Sequence, residues 1–164
     1  MQSSSCDILI VGGGTGGCAA AMSASSLGLK VILTEQYSWV GGQLTSQAVP
    51  PDEHPWIEQF GCTARYRAYR EGVRRKYRQG SIKPEFADNP HLNPGGGWVS
   101  RLCHDPAIGH AVLLEMLQDG FASRNLELRS PRVPVSAEME GDQIRAVILK
   151  CLTSGELERI EAKY

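Results

Sequence analysis

The chain is short of the features that mark several protein classes. Aromatic residues make up only 7% of its 164 residues. No apolar run approaches the roughly 20 residues of a membrane-spanning helix. The first such run, Ile8 to Val11, ends at Gly12, and Met1-Gln2-Ser3-Ser4-Ser5 ahead of it carries no Lys or Arg. The expectation is therefore a chain with neither secretory leader nor membrane anchor. Neither sign of charge dominates: 17 Lys and Arg face 18 Asp and Glu, for a net charge of −1. That balance gives no global attraction to nucleic acid or anionic lipid. The five cysteines, at 6, 18, 62, 103 and 151, are odd in number and form no CxxC pair. They read as reduced thiols in a cytoplasmic protein, not as a disulfide framework. With His54, His91, His104 and His110 they show no metal-ligand spacing, so no metal is expected. There is no internal repeat and no low-complexity tract. A single globular domain remains, long enough to bury about 70% of its unfolded surface.

Glycine, by contrast, is concentrated where it carries chemistry. Cys6 to Val11 is an apolar strand that runs into Gly12-Gly13-Gly14-Thr15-Gly16-Gly17, and the small residues Cys18, Ala19, Ala20, Ala21 and Ala24 follow. Gly12, Gly14 and Gly17 match G-x-G-x-x-G, and each has a separate role. Gly12 permits the tight turn, Gly14 lets backbone approach a pyrophosphate, and Gly17 lets the helix sit close on the strand. The helix then aims its unpaired N–H groups at the phosphates. It is expected to run to about Leu27, with Gly28 as a left-handed stop. A second strand, Lys30 to Thr34, ends at Glu35, 18 positions beyond Gly17. The motif places there an acid that accepts hydrogen bonds from an adenosine ribose. These residues imply dinucleotide binding.

Three stretches follow from the pattern. Residues 6–36 form the βαβ nucleotide module. Residues 37–104 form an irregular insertion with one helix near 57–79. Seven of the nine prolines (50, 51, 55, 84, 90, 94 and 106) lie in or border it. Residues 105–129 form a helix and a strand, with Asp105 as N-cap and Pro106 at the first helical position. Ile108, Val112, Leu113, Met116 and Leu117 give that helix its apolar face. Strands at 133–139, 143–151 and 157–163, separated by Glu140-Gly141-Asp142 and Thr153-Ser154-Gly155-Glu156, predict an antiparallel β-meander.

A long insertion after the second strand, and a meander after the third, depart from a simple NAD module. With this layout the sequence resembles the FAD-dependent oxidoreductases of the glutathione-reductase-like superfamily. In particular it resembles bacterial members that share a Gly-Gly-Gln segment and a Pro-Pro-Asp-Glu-His-Pro-Trp stretch. The residues carrying the resemblance are Asp7 to Gly17, Glu35, Gly41-Gly42-Gln43-Leu44-Thr45, Pro50 to Trp56 and Trp98 to His104, so that it covers essentially the whole chain. It implies a Rossmann-like α/β fold of three ββα layers with FAD as cofactor. Gly12, Gly14, Thr15, Gly16 and Gly17 would cradle the pyrophosphate, and Glu35 with Gln36 would lie at the adenosine ribose. Gly41 and Gly42 would bring backbone to the pyrophosphate or ribityl chain, with Gln43, Leu44 and Thr45 leading toward the isoalloxazine. Val135 would touch adenine. The superfamily closes its nucleotide domain with a further parallel strand, which the sequence lacks beyond Tyr164. The expectation is thus an N-terminal portion without closing strand or substrate domain, with an exposed sheet edge. A thiol relay is disfavoured, because Gln43 to Gln47 contains no cysteine.

The remaining candidates are fewer. Cys103-His104-Asp105 has the residue types of a catalytic trio, but adjacent side chains diverge and Asp105 serves as a cap. His54 is the candidate for proton transfer, since imidazole titrates near neutrality. Arg101 is the candidate for an anionic substrate. Arg65 to Arg78 holds seven basic residues against one acid, with Tyr66, Tyr69, Val73 and Tyr77 at helical spacing. It reads as an amphipathic helix with a solvated basic face and not as a nucleic-acid patch. Two functions follow: the FAD-binding portion of an oxidoreductase acting on a small organic substrate, or a non-catalytic dinucleotide-binding fragment. The substrate, the electron acceptor and the oligomeric state leave no mark in the sequence.

Overall fold

A computed structural model describes residues 1–80 and 88–164, so that Pro84 of the insertion lies outside the described residues. The elements in chain order are β1 (Gln2–Cys6), β2 (Ile8–Val11), α1 (Thr15–Ser26), β3 (Val31–Thr34), a 3₁₀ turn (Gly42–Leu44), α2 (Ala64–Gln79), α3 (Pro106–Ala122), β4 (Leu126–Arg129), β5 (Arg132–Glu140), β6 (Gln143–Cys151) and β7 (Leu157–Ala162). The chain divides into two units, one of Met1–Val40 with Leu117–Tyr164 and one of Gly41–Met116.

The first unit is a three-layer ββα arrangement. β2, β3 and β4 form a parallel sheet in the order β2-β3-β4. All four residues of β3 are buried, as expected of a central parallel strand covered on both faces. Helix α1 lies against β2 and β3 on one face. On the other face Ile32 packs with Leu149 and Ile160 of the meander, with Leu9 and Val147 beside them. The alternation along the strands makes this two-sided packing possible. The helix ends as Gly28 takes a φ of +82° and its N–H donates to the Ser25 carbonyl at 3.0 Å, one position from the expected Leu27.

The second sheet has the order β1-β7-β6-β5. β5, β6 and β7 are the antiparallel meander, and β1 adds to it in parallel with β7, Gln2 opposite Glu158 through Cys6 opposite Ala162. β1 is a strand that the sequence does not suggest. It is held by Arg129, whose Nη1 donates to Ser4 Oγ at 2.9 Å and reaches Glu158 at 3.3 Å. The outer edge of β2 is also not bare. Tyr164 N–H donates to the Asp7 carbonyl at 3.1 Å, and Leu9 N–H donates to the Tyr164 carbonyl at 3.0 Å. Bonds from one residue to the two that flank its partner are those of a parallel ladder.

The second unit differs from its expectation in two ways. Helix α2 begins at Ala64, not near 57, because Thr63 is its N-cap and accepts from Tyr66 N–H at 3.2 Å. The basic face is also not wholly solvated. Arg70 and Arg74 are fully buried along with Tyr69 and Val73, whereas Tyr66 and Tyr77 are only half-buried. Helix α3 starts at Pro106, with Asp105 Oδ1 accepting from Ala107 N–H at 2.8 Å.

Candidate functional site

The glycine turn of the first unit has the geometry its spacing implies. Gly12 has a φ of +106°, a left-handed conformation that disfavours any residue with a Cβ. A Cβ on Gly17 would stand 2.0 Å from the Gly12 carbonyl oxygen, so that only glycine lets α1 start this close to β2. Gly14 is the N-cap, in extended conformation, and no side chain caps the helix. On Gly12, Gly14 and Gly16 a Cβ would meet no atom within 4 Å. Bare backbone therefore faces open space at the positive end of a 12-residue helix, an arrangement that fits a pyrophosphate.

Glu35 is buried at the end of β3 and its carboxylate is oriented from two sides. Gly13 N–H donates to Oε2 at 2.9 Å, and Tyr37 N–H donates to Oε1 at 3.0 Å. Its backbone is tied to Arg129 and Arg132 on the strands beyond. Each carboxylate oxygen keeps acceptor capacity for a hydroxyl. Gly13 was not singled out by the motif, yet a Cβ there would lie 3.0 Å from both Cβ and Oε2 of Glu35. The signal for it is the third consecutive glycine, at a position the motif leaves open. Gln36 is exposed. Val135 is 51% exposed and sits where the β5–β6 register skips from Pro134 to Ser136. It is a bulge residue, outside the ladder.

The other candidates belong to the second unit. Gly41 and Gly42 both have positive φ, +112° and +53°, and start the 3₁₀ turn. A Cβ on Gly41 would fall 2.5 Å from Leu113 and 2.6 Å from Thr45. Leu44 and Thr45 point inward and are buried, and Gln43 is exposed. Below the turn, a Cβ on Gly109 would lie 2.7 Å from the Tyr69 hydroxyl and 3.2 Å from the Leu44 carbonyl. Tyr69 and His104 Nε2 are 2.9 Å apart, and His104 Nδ1 lies 3.0 Å from the Asp105 carbonyl. The Nδ1–H tautomer satisfies both contacts, leaving Nε2 to accept from Tyr69. Burial pushes the Tyr69 hydroxyl well above its ordinary value. Cys103 Sγ meanwhile points to the Ser100 carbonyl, so Cys103, His104 and Asp105 each serve a different partner and form no relay. Arg101 is exposed. Among the described residues no group of three or more His, Cys, Asp or Glu is placed to hold a metal ion.

The buried arginines hold the Pro50–Phe60 segment. Arg70 bridges Glu53 and Glu58, and Arg74 pairs with Glu58 and, at 3.1 Å, with Glu71. Arg74 Nε also donates to the Leu92 carbonyl at 3.0 Å, and Arg78 donates to the Asn89 carbonyl at 2.9 Å. Arg67 donates to the carbonyls of Ile57 and Glu58. Burial raises the Glu58 carboxyl, but the guanidinium groups of Arg74 and Arg70 outweigh it and leave the net shift downward. One end of this segment carries His54, whose Nδ1 accepts from Trp56 N–H at 3.2 Å.

Comparison with known proteins agrees with this geometry. The FAD dependent oxidoreductase family matches residues 7–164, and the chain belongs to it. FAD is thus the cofactor expected of the chain. Over 37 residues the chain is 51% identical to 4-oxocyclohex-2-ene-1-carboxylate 5-dehydrogenase of Sinomonas cyclohexanicum, which covers 23% of this chain and 6% of that protein. The fold is similar to that of Mycobacterium smegmatis Sdh1 in its apo form, at 15% identity and a TM-score of 0.59, over 99% of this chain and 34% of that one. It is also similar to the myxobacterial chondrochloren halogenase CndH, at 16% identity and a TM-score of 0.54, over 96% of this chain and 36% of that one. The chain spans about a fifth to two fifths of the solved structures it resembles.

Proposed function

We propose that this member of the FAD dependent oxidoreductase family supplies the FAD-binding part of an enzyme that oxidises or reduces a small organic substrate. The observation that carries the reading is the contrast among the glycines. Gly17 is closed by the Gly12 carbonyl at 2.0 Å from its absent Cβ, while Gly12, Gly14 and Gly16 are open. Gly12 is required by its backbone conformation, but glycines kept only for packing or for the turn would not leave Gly14 and Gly16 bare at a helix start. Gly12, Gly14, Thr15, Gly16 and Gly17 take the pyrophosphate, Glu35 the adenosine ribose with Gln36 beside it, and the bulge at Val135 the adenine. The backbone of Gly41 to Thr45 serves the flavin half. When bound, FAD supplies the acceptor or donor of a hydride and of electrons.

The chain's own residues then bind, orient and supply protons. Because His54 Nδ1 accepts the Trp56 N–H, the neutral ring carries its proton on Nε2, where it serves as a donor. Arg101 offers an exposed cation to an anionic substrate. The substrate is a small molecule, in keeping with the cyclic keto acid in the name of the Sinomonas relative. Four arginines of α2 are engaged with carboxylates or carbonyls of the same unit, which leaves the basic segment little to offer nucleic acid. No disulfide joins the five cysteines among the described residues, and no described helix is long and apolar enough to cross a membrane; we place the protein in the cytoplasm on its odd, unpatterned cysteine set.

The test is direct. The purified chain is titrated with ADP and with FAD by calorimetry, and its absorption spectrum is recorded after FAD loading. Saturable binding of both is expected, and no binding of either would overturn the reading.

A further inference from the structure

We propose that His54, Trp56 and Phe60 form a stacking ledge for the ring of the substrate, and that it takes a flat, unsaturated ring carrying an oxygen acceptor. The inference deepens the reading of a flavin-dependent oxidoreductase and rests on it.

The three rings cluster, with Trp56 and Phe60 stacked and His54 tilted by 37° and 30° against them. Their centroids stand 5.8 Å (His54–Phe60), 6.3 Å (His54–Trp56) and 6.3 Å (Trp56–Phe60) apart. Trp56 and Phe60 lie within 11° of parallel, yet they are 57% and 58% exposed. Large aromatic side chains are normally among the best buried, and contiguous exposed ones mark a surface that binds something.

The underside of the same segment is unusually well fixed. Ile57 is buried, and the carbonyls of Ile57 and Glu58 accept from Arg67. The carboxylates of Glu53 and Glu58 are held by buried Arg70 and Arg74, and Tyr66 donates to Glu53 at 2.6 Å. Buried ion pairs bring little net stability over apolar packing, so this anchoring is better explained by the position it enforces. It holds the aromatic face in place before a ligand arrives, which removes an ordering cost from binding.

The ledge also has one polar feature. His54 Nδ1 is taken by the Trp56 N–H, and Nε2 has no hydrogen-bond partner among the described residues. Gly61 passes beside it and only glycine fits there, since a Cβ would stand 2.3 Å from Nε2. Flat faces recognise a flat ring, and a lone N–H at their margin recognises a carbonyl or carboxylate oxygen on it. A saturated ring of the same size and charge stacks poorly on such faces.

The test uses the full chain with 4-fluorobenzoate as probe, followed by ¹⁹F NMR, and with cyclohexanecarboxylate as competitor. The probe is expected to bind, and cyclohexanecarboxylate to displace it poorly. Trp56→Ala and Phe60→Leu should each weaken it by about three- to tenfold, and Gly61→Ala, which crowds Nε2, should weaken it as well. ADP affinity, read by calorimetry on the same samples, should stay unchanged, and amide hydrogen exchange along α2, in the same unit as the ledge, shows that each variant is folded there. Wild-type affinity for the probe in Trp56→Ala, equal binding of the saturated acid, or preferential capture of lumiflavin by the ledge would overturn the proposal. Loss of ADP binding by the unsubstituted chain would instead overturn the dinucleotide reading.

Discussion

At the scale of single residues, the glycines of the turn divide into two kinds. Gly17 is a packing glycine, because its absent Cβ would overlap the Gly12 carbonyl at 2.0 Å. Gly14 has ordinary extended backbone and open space around it. Gly17→Ala should therefore lower the melting temperature, with a cost of about 1–3 kcal/mol from overpacking. Gly14→Val should leave the melting temperature and circular dichroism nearly unchanged and abolish ADP binding. If Gly14→Val binds ADP normally, the cradle assignment falls. Glu35 separates its two roles in a similar way. Glu35→Ala removes a charged acceptor and should weaken ADP binding by about 1.5–3 kcal/mol. Glu35→Gln keeps an acceptor for the ligand, but one of the N–H groups of Gly13 and Tyr37 then faces an amide NH₂. It should weaken ADP less than alanine does while still lowering the melting temperature. Equal ADP affinity in wild type and Glu35→Ala, measured by calorimetry, would remove Glu35 from the site.

Among the elements, what was legible in the sequence depended on how local the cause is. The β2–turn–α1 unit and the cap at Asp105-Pro106 are written in adjacent residues, and they appear where glycine spacing and capping place them. β1 was illegible because Gln2-Ser3-Ser4-Ser5 has poor strand propensity. Its strand state comes from β7, Arg129 and Glu158, all distant in sequence. The bulge at Val135 is likewise set by pairing across to β6. Arg70 and Arg74 read as solvated because their carboxylate partners, Glu53 and Glu58, lie in an irregular segment with no periodicity to betray them. This ion cluster predicts a pH dependence. The folded pKa of Glu58 lies below its ordinary value, so its contribution is complete above the unfolded carboxylate range near 4.3. It is lost as pH falls through the lower folded value. Arg74→Met removes one partner of a buried pair and should destabilise the Gly41–Met116 unit by about 3–5 kcal/mol near neutral pH. The penalty should shrink on acidification below that range. Denaturation of both proteins at pH 7 and pH 3 measures the difference, and a penalty independent of pH would show that packing, not charge, holds Arg74. The β6–β7 turn carries a second titration. The hydroxyl and N–H of Ser154 hydrogen-bond the Cys151 sulfur and, with Arg132 nearby, bring its thiol down to about 7. Iodoacetamide labelling of Cys151, followed by mass spectrometry, should rise through that pH, and Ser154→Ala should move the midpoint upward.

For the molecule as a whole, the assigned residues fall into the two units in a way that ADP can address. Gly12 to Gly17, Glu35 and Val135 belong to Met1–Val40 with Leu117–Tyr164, and Gly41 to Thr45, His54 and Arg101 belong to Gly41–Met116. ADP contains the pyrophosphate, ribose and adenine but none of the flavin. A ligand stabilises what it binds by mass action, by about 2.7 kcal/mol at a hundredfold excess over Kd. Amide hydrogen exchange reports that stabilisation segment by segment. With saturating ADP, exchange should slow at Gly12 to Gly17, along β3 to Tyr37 and around Val135. It should stay unchanged from Pro50 to Phe60, where Arg67, Arg70 and Arg74 already fix the backbone. Slowing at Val135 is the most discriminating result, since a bulge residue outside the ladder has no strand partner through which ordinary sheet stabilisation would reach it. If ADP slows exchange in the turn and at Glu35 but leaves Val135 untouched, adenine lies elsewhere and the bulge is only a bend in the meander. If it slows exchange evenly across both units, the effect is global stabilisation, and the assignment of the adenosine half to the first unit loses its support.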